Sequence, residues 1–471
     1  MSSCLLTRRS FLRGAAAAGA GLLAAACQPK IVEVEKVVTQ VVKEVVKEEV
    51  IVEGTPKIVE KVVEKEVTAV PQAPVEGTVV VWTYPNTEDD VTIIFDPLNA
   101  AFNREYPNIK VEVDVQPWRE RREKLYAAAA AGAPPDVWWA DSDTLLAYAA
   151  KGVAAPLEDV IDADALADIR PRNIEMGTHQ GHLLIAANRI HIDGPGHNGT
   201  LMEESGFDAQ EGISTWDELL AMCENAKAKG FYGDFINTFE WQDWLVWLRQ
   251  SAGKVYSDDG TQVLIREEPA QATLGMWVTM FKEGYVAKEG AVGSAEAATN
   301  LPSYWREKKQ VTAVRAAASD CTNVRRQDPT FDYRVSRPRR RNESYELHSA
   351  LAAMRGWSLS KLAPSPDAAI AWLNFNLRPQ IVALFCTLGQ QVPPGEESMK
   401  LWKADECTMQ HVRMMEPYLV YNSDNQTLWQ ESKIIAAPHF QAAVLGIETV
   451  EQALDATATE LEALLAESLS A

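Results

Sequence analysis

The side chain best placed for covalent chemistry is Cys27. It follows Thr7-Arg8-Arg9-Ser10-Phe11-Leu12-Arg13, an apolar run from Gly14, and then Leu23-Ala24-Ala25-Ala26. The paired arginines with Phe-Leu at fixed offsets read as a twin-arginine export signal, and Gly14 to Ala26 is too short and too rich in alanine to span a bilayer. Acylation and cleavage are the chemistry open to a thiol at that junction. The rest of the chain has no G-x-S-x-G elbow, no H-E-x-x-H helix and no P-loop, while paired carboxylates of the kind that hydrolyse glycosides stay open. The seven histidines form no metal set, although His191 and His197 are six apart on one expected strand or loop. Cys223, Cys321, Cys386 and Cys407 lack C-x-x-C spacing, so a disulfide and buried free thiols both stay open. No cofactor is expected.

Cys27 behind small residues is similar to the lipidated cysteine of bacterial lipoproteins, with Ala24 at the position usually held by leucine and Leu23 one step further back. The alternative is an ordinary cleaved signal with an incidental cysteine. Residues 1–26 are therefore read as signal peptide and 27–76 as a lipidated cysteine followed by a low-complexity Val/Glu/Lys stalk. Valines from Val34 to Val50 recur with helical spacing, which leaves two readings of the stalk: a flexible spacer or an oligomerising helix. The signal carries three arginines and residues 28–76 carry ten Glu against seven Lys, so the formal charge of −21 belongs wholly to residues 77–471. Such a balance repels a phosphate backbone and excludes nucleic acid as a natural partner. About 445 residues remain after the signal, more than one core usually serves, and two lobes are expected.

The elements that must carry any site begin at Thr78. Thr78 to Trp82 reads as a buried strand, residues 90–105 as a helix, and Ile109 to Val115 as a half-exposed strand. A helix from Trp118 to Ala131 stops at Gly132 and Pro134-Pro135, a third strand covers Asp136 to Ala140, and a helix ends at Gly152. This βαβαβ order predicts a parallel sheet covered on both faces. Thr215-Trp216-Asp217-Glu218 and Thr449-Val450-Glu451-Gln452 are capping boxes, and Ser365-Pro366 sets a cap before a first-turn proline. No run of eighteen apolar residues follows Cys27.

Five motifs in this order resemble the extracellular solute-binding lipoproteins of bacterial ABC importers, in the group that mostly serves sugars. They are Gly77-Thr78-Val79-Val80-Val81-Trp82-Thr83, Tyr106-Pro107-Asn108-Ile109-Lys110-Val111, Ala131-Gly132-Ala133-Pro134-Pro135-Asp136-Val137, Ser214-Thr215-Trp216-Asp217-Glu218-Leu219 and Leu445-Gly446-Ile447-Glu448-Thr449. Two departures stand out: Gly196-His197-Asn198 replaces the family's Tyr-Tyr-Asn, and Arg334 to Arg341 replaces a Gly-Val-x-Pro-x-Pro strand. The resemblance implies an α/β, two-lobed periplasmic-binding-protein-like (type II) fold with hinge and ligand cleft and a helix-rich C-terminal part. Lobe 1 is expected over 77–190 and about 345–390, lobe 2 over about 191–344 and 391–471. It further implies a small solute, chiefly a carbohydrate or polyol, and as partners the membrane through the lipid and a permease with separate ATPase subunits. A non-sugar or acidic solute, a sensory or adhesion lipoprotein, and a carbohydrate-active enzyme remain as alternatives.

A sugar presents an apolar C–H face and a rim of hydroxyls, so its site calls for aromatic platforms edged by carboxylates or arginines. Ligands of open parallel sheets meet the loops at strand carboxyl ends. Tyr84 and Glu88 follow the first strand, Trp118 the second and Asp141 the third. Farther on, Trp241, Trp244 and Trp357 are platform candidates, Arg315 an edge donor and His197 a hinge or ligand residue, while Trp247 is expected in the core. Seven arginines from Arg325 to Arg341 form either a solvated loop or a receptor for an acidic sugar or phosphate.

Overall fold

A computed structural model describes residues 39–52, 55–68, 75–85, 90–117, 120–292, 309–347, 350–421 and 428–470. The stretch expected to be an export signal, Cys27, Glu88 and Trp118 lie outside them. The segment up to Pro74 and the segment from Val75 are separate compact units.

In the first unit, the Val/Glu/Lys segment is neither a coil nor a helix. Two strands of fourteen residues, Thr39–Val52 and Thr55–Thr68, pair antiparallel from Thr39↔Thr68 to Val52↔Thr55. Valine favours the pleated strand, and the register sets lysine against glutamate at Lys43↔Glu64 and Lys47↔Glu60.

The second unit is built on a sheet that has nine strands among the described residues. Strands β1 (Gly77–Thr83), β2 (Ile109–Val115) and β3 (Val137–Asp141) run parallel, with β1 in the middle, as the βαβαβ pattern requires. The helices between them are Asp96–Glu105, entered through a short π-turn at Val91–Phe95, and Arg121–Ala130. The next helix, Leu145–Lys151, ends on Gly152, whose φ of 61° is the left-handed conformation that closes a helix readily only at glycine. Beyond β3 the sheet changes sense. The order continues through β7 (Ala350–Ser360), β4 (Ala186–Asn198) and β5 (Thr312–Ala317), each antiparallel to its neighbour, and β6 (Tyr333–Val335) also pairs with β4. The expected parallel sheet is thus confined to β1–β3, apart from a short parallel pairing of Ala350–Ala352 with Leu419–Tyr421.

Two hydrophobic cores result. The first gathers residues from 79–192, 313–335 and 352–415, the second residues from 201–311 and 428–465. The division departs from the expected lobe boundaries at two places. Residues 313–335 join the first core because β5 and β6 pair with β4. Residues 392–415 join it because a disulfide, Cys321–Cys407, ties helix Glu406–Met415 to helix Asp320–Gln327. The chain leaves the first core after Asn198, returns at Thr312, and leaves again between Leu419 and Leu428. It makes one excursion after Val335, where Arg340 N–H donates to Ser214 O and Arg341 N–H to Gln250 O.

The second core is largely helical, and its helix starts follow the sequence. Thr215 and Glu218 form the reciprocal capping box of helix Trp216–Ala228, and Thr449 and Gln452 bond reciprocally ahead of helix Val450–Ser470. No described helix is long and apolar enough to cross a membrane.

Candidate functional site

The carboxyl ends of β1 and β3 lie side by side, and there the sheet assembles a charged cluster. Asp141 closes β3 and stands opposite Arg355 of β7, which in turn stands opposite Arg189 of β4. Residues paired across adjacent strands project from the same face, so the three side chains form one row. The close approach of β7 and β4 depends on Gly356, where a Cβ would sit 2.1 Å from the Ala186 carbonyl oxygen. The ladder shifts register between Arg355 and Gly356 at that same contact.

Asp141 Oδ1 accepts from Arg355 Nε at 2.8 Å, and Oδ2 from Arg121 Nη2 at 2.7 Å. Burial alone would raise the Asp141 carboxyl, but Arg355, Arg121 and Arg189 together hold it below the usual carboxylate range. Tyr84, at the end of β1, packs its ring 5.3 Å from that of Trp139, and Arg121 lies over it at 5.6 Å. Burial pushes the Tyr84 phenol up to about 12. Arg189 is wholly buried, with its guanidinium 3.9 Å from the centre of the Trp139 ring and 5.0 Å from that of Phe385. Burial, and then the charge of Arg355, push it down to about 9.

Of the residues expected at a site, Tyr84 and Asp141 are brought together here. Trp357 and Trp244 are corrected from platforms to core residues, at 1% and 0% exposure. Trp357 packs edge-on against Phe95, Trp372 and Phe385, and Trp244 edge-on against Trp277 and tilted over Phe440 at 4.4 Å, so both rings are enclosed by other rings. Trp241 is also buried, stacked on Phe440 at 6.4 Å, and Trp247 is in the same core as expected. His197 is buried at the end of β4, where its Nε2 meets Ala209 O at 2.8 Å and its Nδ1 meets Ser336 Oγ at 2.6 Å. A carbonyl can only accept, so Nε2 carries the proton and Ser336 donates to Nδ1. The side chain of Arg315 lies outside the described residues.

The arginine-rich segment is mostly absorbed by its own surroundings. Arg334 pairs with Asp332, Arg337 with Glu211, Arg340 with Glu343 and Arg341 with Glu268, while Arg325 donates to Tyr333 O. Arg339 is fully buried against Asp234 at 2.5 Å. Sequence reasoning missed Arg121, Trp139, Arg189 and Arg355. One signal was available: Arg189 interrupts the apolar run Ile185-Ala186-Ala187 ahead of Ile190-His191-Ile192, where a charge needs a reason. A separate cavity of about 270 Å³, lined by Tyr126, Ala129, Lys151, Val153 and Leu362 among others, shares no residue with the cluster.

One α/β core and one largely helical core, joined where the chain crosses at Asn198, at Thr312 and between Leu419 and Leu428, with a polar cluster at strand carboxyl ends, match the two-lobed architecture of a binding protein. The chain belongs to the family described as bacterial extracellular solute-binding protein, whose model matches residues 98–409. Solved structures agree in fold. The maltose-bound MalE3 of T. maritima is 19% identical with a TM-score of 0.70, over 82% of this chain and 99% of that one. The GacH receptor of Streptomyces glaucescens, solved unliganded and with acarbose, is 15% identical with a TM-score of 0.71, over 83% and 98%. The cyclic alpha-maltosyl-1,6-maltose binding protein of Arthrobacter globiformis is 20% identical with a TM-score of 0.65, over 83% and 99%. No curated protein matches the chain.

Proposed function

We propose that the chain is the capture subunit of a bacterial ABC importer for a carbohydrate or related polyol. It is exported, held at the outer face of the membrane through lipidated Cys27, and hands its solute to a permease driven by separate ATPase subunits. The observation that carries this reading is the family match across a fold with two cores. The sugars named for the similar structures above support the solute class. A solute held between lobes touches both only when they close, so binding shifts the population toward the closed form, and the permease reads that form.

The test is a thermal-shift screen of the signal-free protein against mono- and oligosaccharides, polyols, amino acids and polyamines. Ligand at ~100 times its dissociation constant adds about 2.7 kcal/mol to the folded state. A selective rise with one sugar class is expected. Rises confined to amino acids or polyamines would refute the carbohydrate assignment. For the anchor, Cys27→Ser is expected to move the protein from the membrane fraction to the soluble one.

A further inference from the structure

Arg189 is the least satisfied charged side chain of the first core. None of its three nitrogens meets a hydrogen-bond acceptor among the described residues, and its side chain is wholly buried. A guanidinium carries five N–H donors, and leaving them unmet away from water is costly. Its neighbour in the row is another arginine, Arg355, and like charges directly opposite across a sheet repel. Three guanidinium groups, those of Arg121, Arg189 and Arg355, face two carboxylates, Asp141 and Asp90. Of the three, Arg189 is the one whose nitrogens meet no acceptor among the described residues.

The cluster is not sealed. The side chains of Asp141, Arg355 and Arg121 keep 11%, 14% and 20% of their exposure, so the row opens to solvent at the carboxyl end of β3. Trp139 and Tyr84, both buried, pack their rings against these guanidinium groups. A ligand entering there with a planar anionic group would bring the acceptor oxygens that Arg189 lacks, in the fork geometry that guanidinium groups recognise.

We infer that the captured solute carries a carboxylate, as a uronic acid does, and that the Arg121–Arg189–Arg355 cluster receives it. The inference rests on the solute-capture reading and narrows it. A carboxylate is planar, as is the guanidinium of Arg189 over the Trp139 ring, and meets such a group with two parallel hydrogen bonds. The arginine-rich segment from Arg325 to Arg341 is not needed, since most of its charges are already paired.

The experiment is calorimetric titration of the signal-free protein with galacturonate and glucuronate oligomers, their methyl esters, the matching neutral sugars, and ring-free carboxylates such as succinate. The acid is expected to bind at least ~30-fold more tightly than its methyl ester, the ratio that one hydrogen bond to a charged group supplies. That advantage should shrink at high salt and vanish in Arg189→Met. Neutral sugars binding as tightly as their acids would overturn the inference and leave carbohydrate capture standing. Ring-free carboxylates binding, with the same sensitivity to Arg189→Met and no response to any sugar, would uphold the anion site and overturn the carbohydrate reading. No binding by any acid overturns the inference. Unliganded Arg189→Met is expected to melt no lower than the parent, because it removes a buried charge without an acceptor. A markedly lower melting temperature would mean that the guanidinium is satisfied internally. If that variant does not fold, Arg121→Gln, at the open end of the row, gives the same affinity readout.

Discussion

Acidification should weaken this fold well before its carboxylates titrate, through two buried imidazoles. Burial pushes His197 down to about 4 against the bond to the Ala209 carbonyl, which favours its charge; Arg339 and Arg334 disfavour that charge, and Asp332 favours it. His411, on helix Glu406–Met415 against Gly194 of β4, is also pushed down to about 4 by burial. Asp193 favours its charge and His191 opposes it. A group whose folded pKa lies below its unfolded value, near 6.5 for histidine, stabilises the fold fully above 6.5, and that contribution is lost as pH falls toward the folded value. Between pH 8 and pH 5 each histidine then contributes a loss of about 2 kcal/mol, and the pair about 4 kcal/mol. Urea denaturation at a series of pH values measures this directly. Replacing either residue with glutamine should lower stability at pH 8 and remove about half of the pH dependence. A stability profile that is flat between pH 8 and pH 5 would refute the reasoning, as would a steep profile unchanged in both variants.

Two further outcomes follow from the packing. Trp244→Ala should cost about 3–5 kcal/mol of stability, as large aromatic truncations in cores do, with solute affinity of the folded fraction nearly unchanged; affinity lost at constant melting temperature would return Trp244 to the cleft. Reducing the Cys321–Cys407 bond, which closes a sequence separation of 86 residues, should cost about 2–5 kcal/mol and lower the melting temperature in dithiothreitol, while buried Cys223 and Cys386 stay unreactive toward thiol reagents in the native state.

The parallel half of the sheet was legible because its strands are local: each lies within a βαβ unit whose turns carry Gly and Pro signals. Capping boxes at Thr215 and Thr449 were legible for the same reason, since all their partners lie within three residues. What the sequence hid is long-range. Asp141 meets Arg355 across 214 residues, and no spacing rule announces that pairing. The tryptophans misled because a ring that could serve as a platform has the same composition as one that fills a core, and only burial separates Trp357 from a binding residue. The hairpin of residues 39–68 was missed because valine recurring at three and four residues suggests a helix, while valine's stiff branched side chain favours a strand.

The interleaving of the two cores governs how the protein can be made. The second core opens with Leu201 and Met202 but closes only when Leu461 and Leu465 are in place. At ~5–20 residues per second, roughly 15–50 s pass between synthesis of its first and last wall. For the part of that interval between Trp277 and Phe440, Trp244 and Trp277 have been made but Phe440, which packs against both, has not. The rings stay uncovered until helix Val450–Ser470 is in place, and removing Leu461 and Leu465 with the end of that helix would leave the second core open and sensitive to proteolysis.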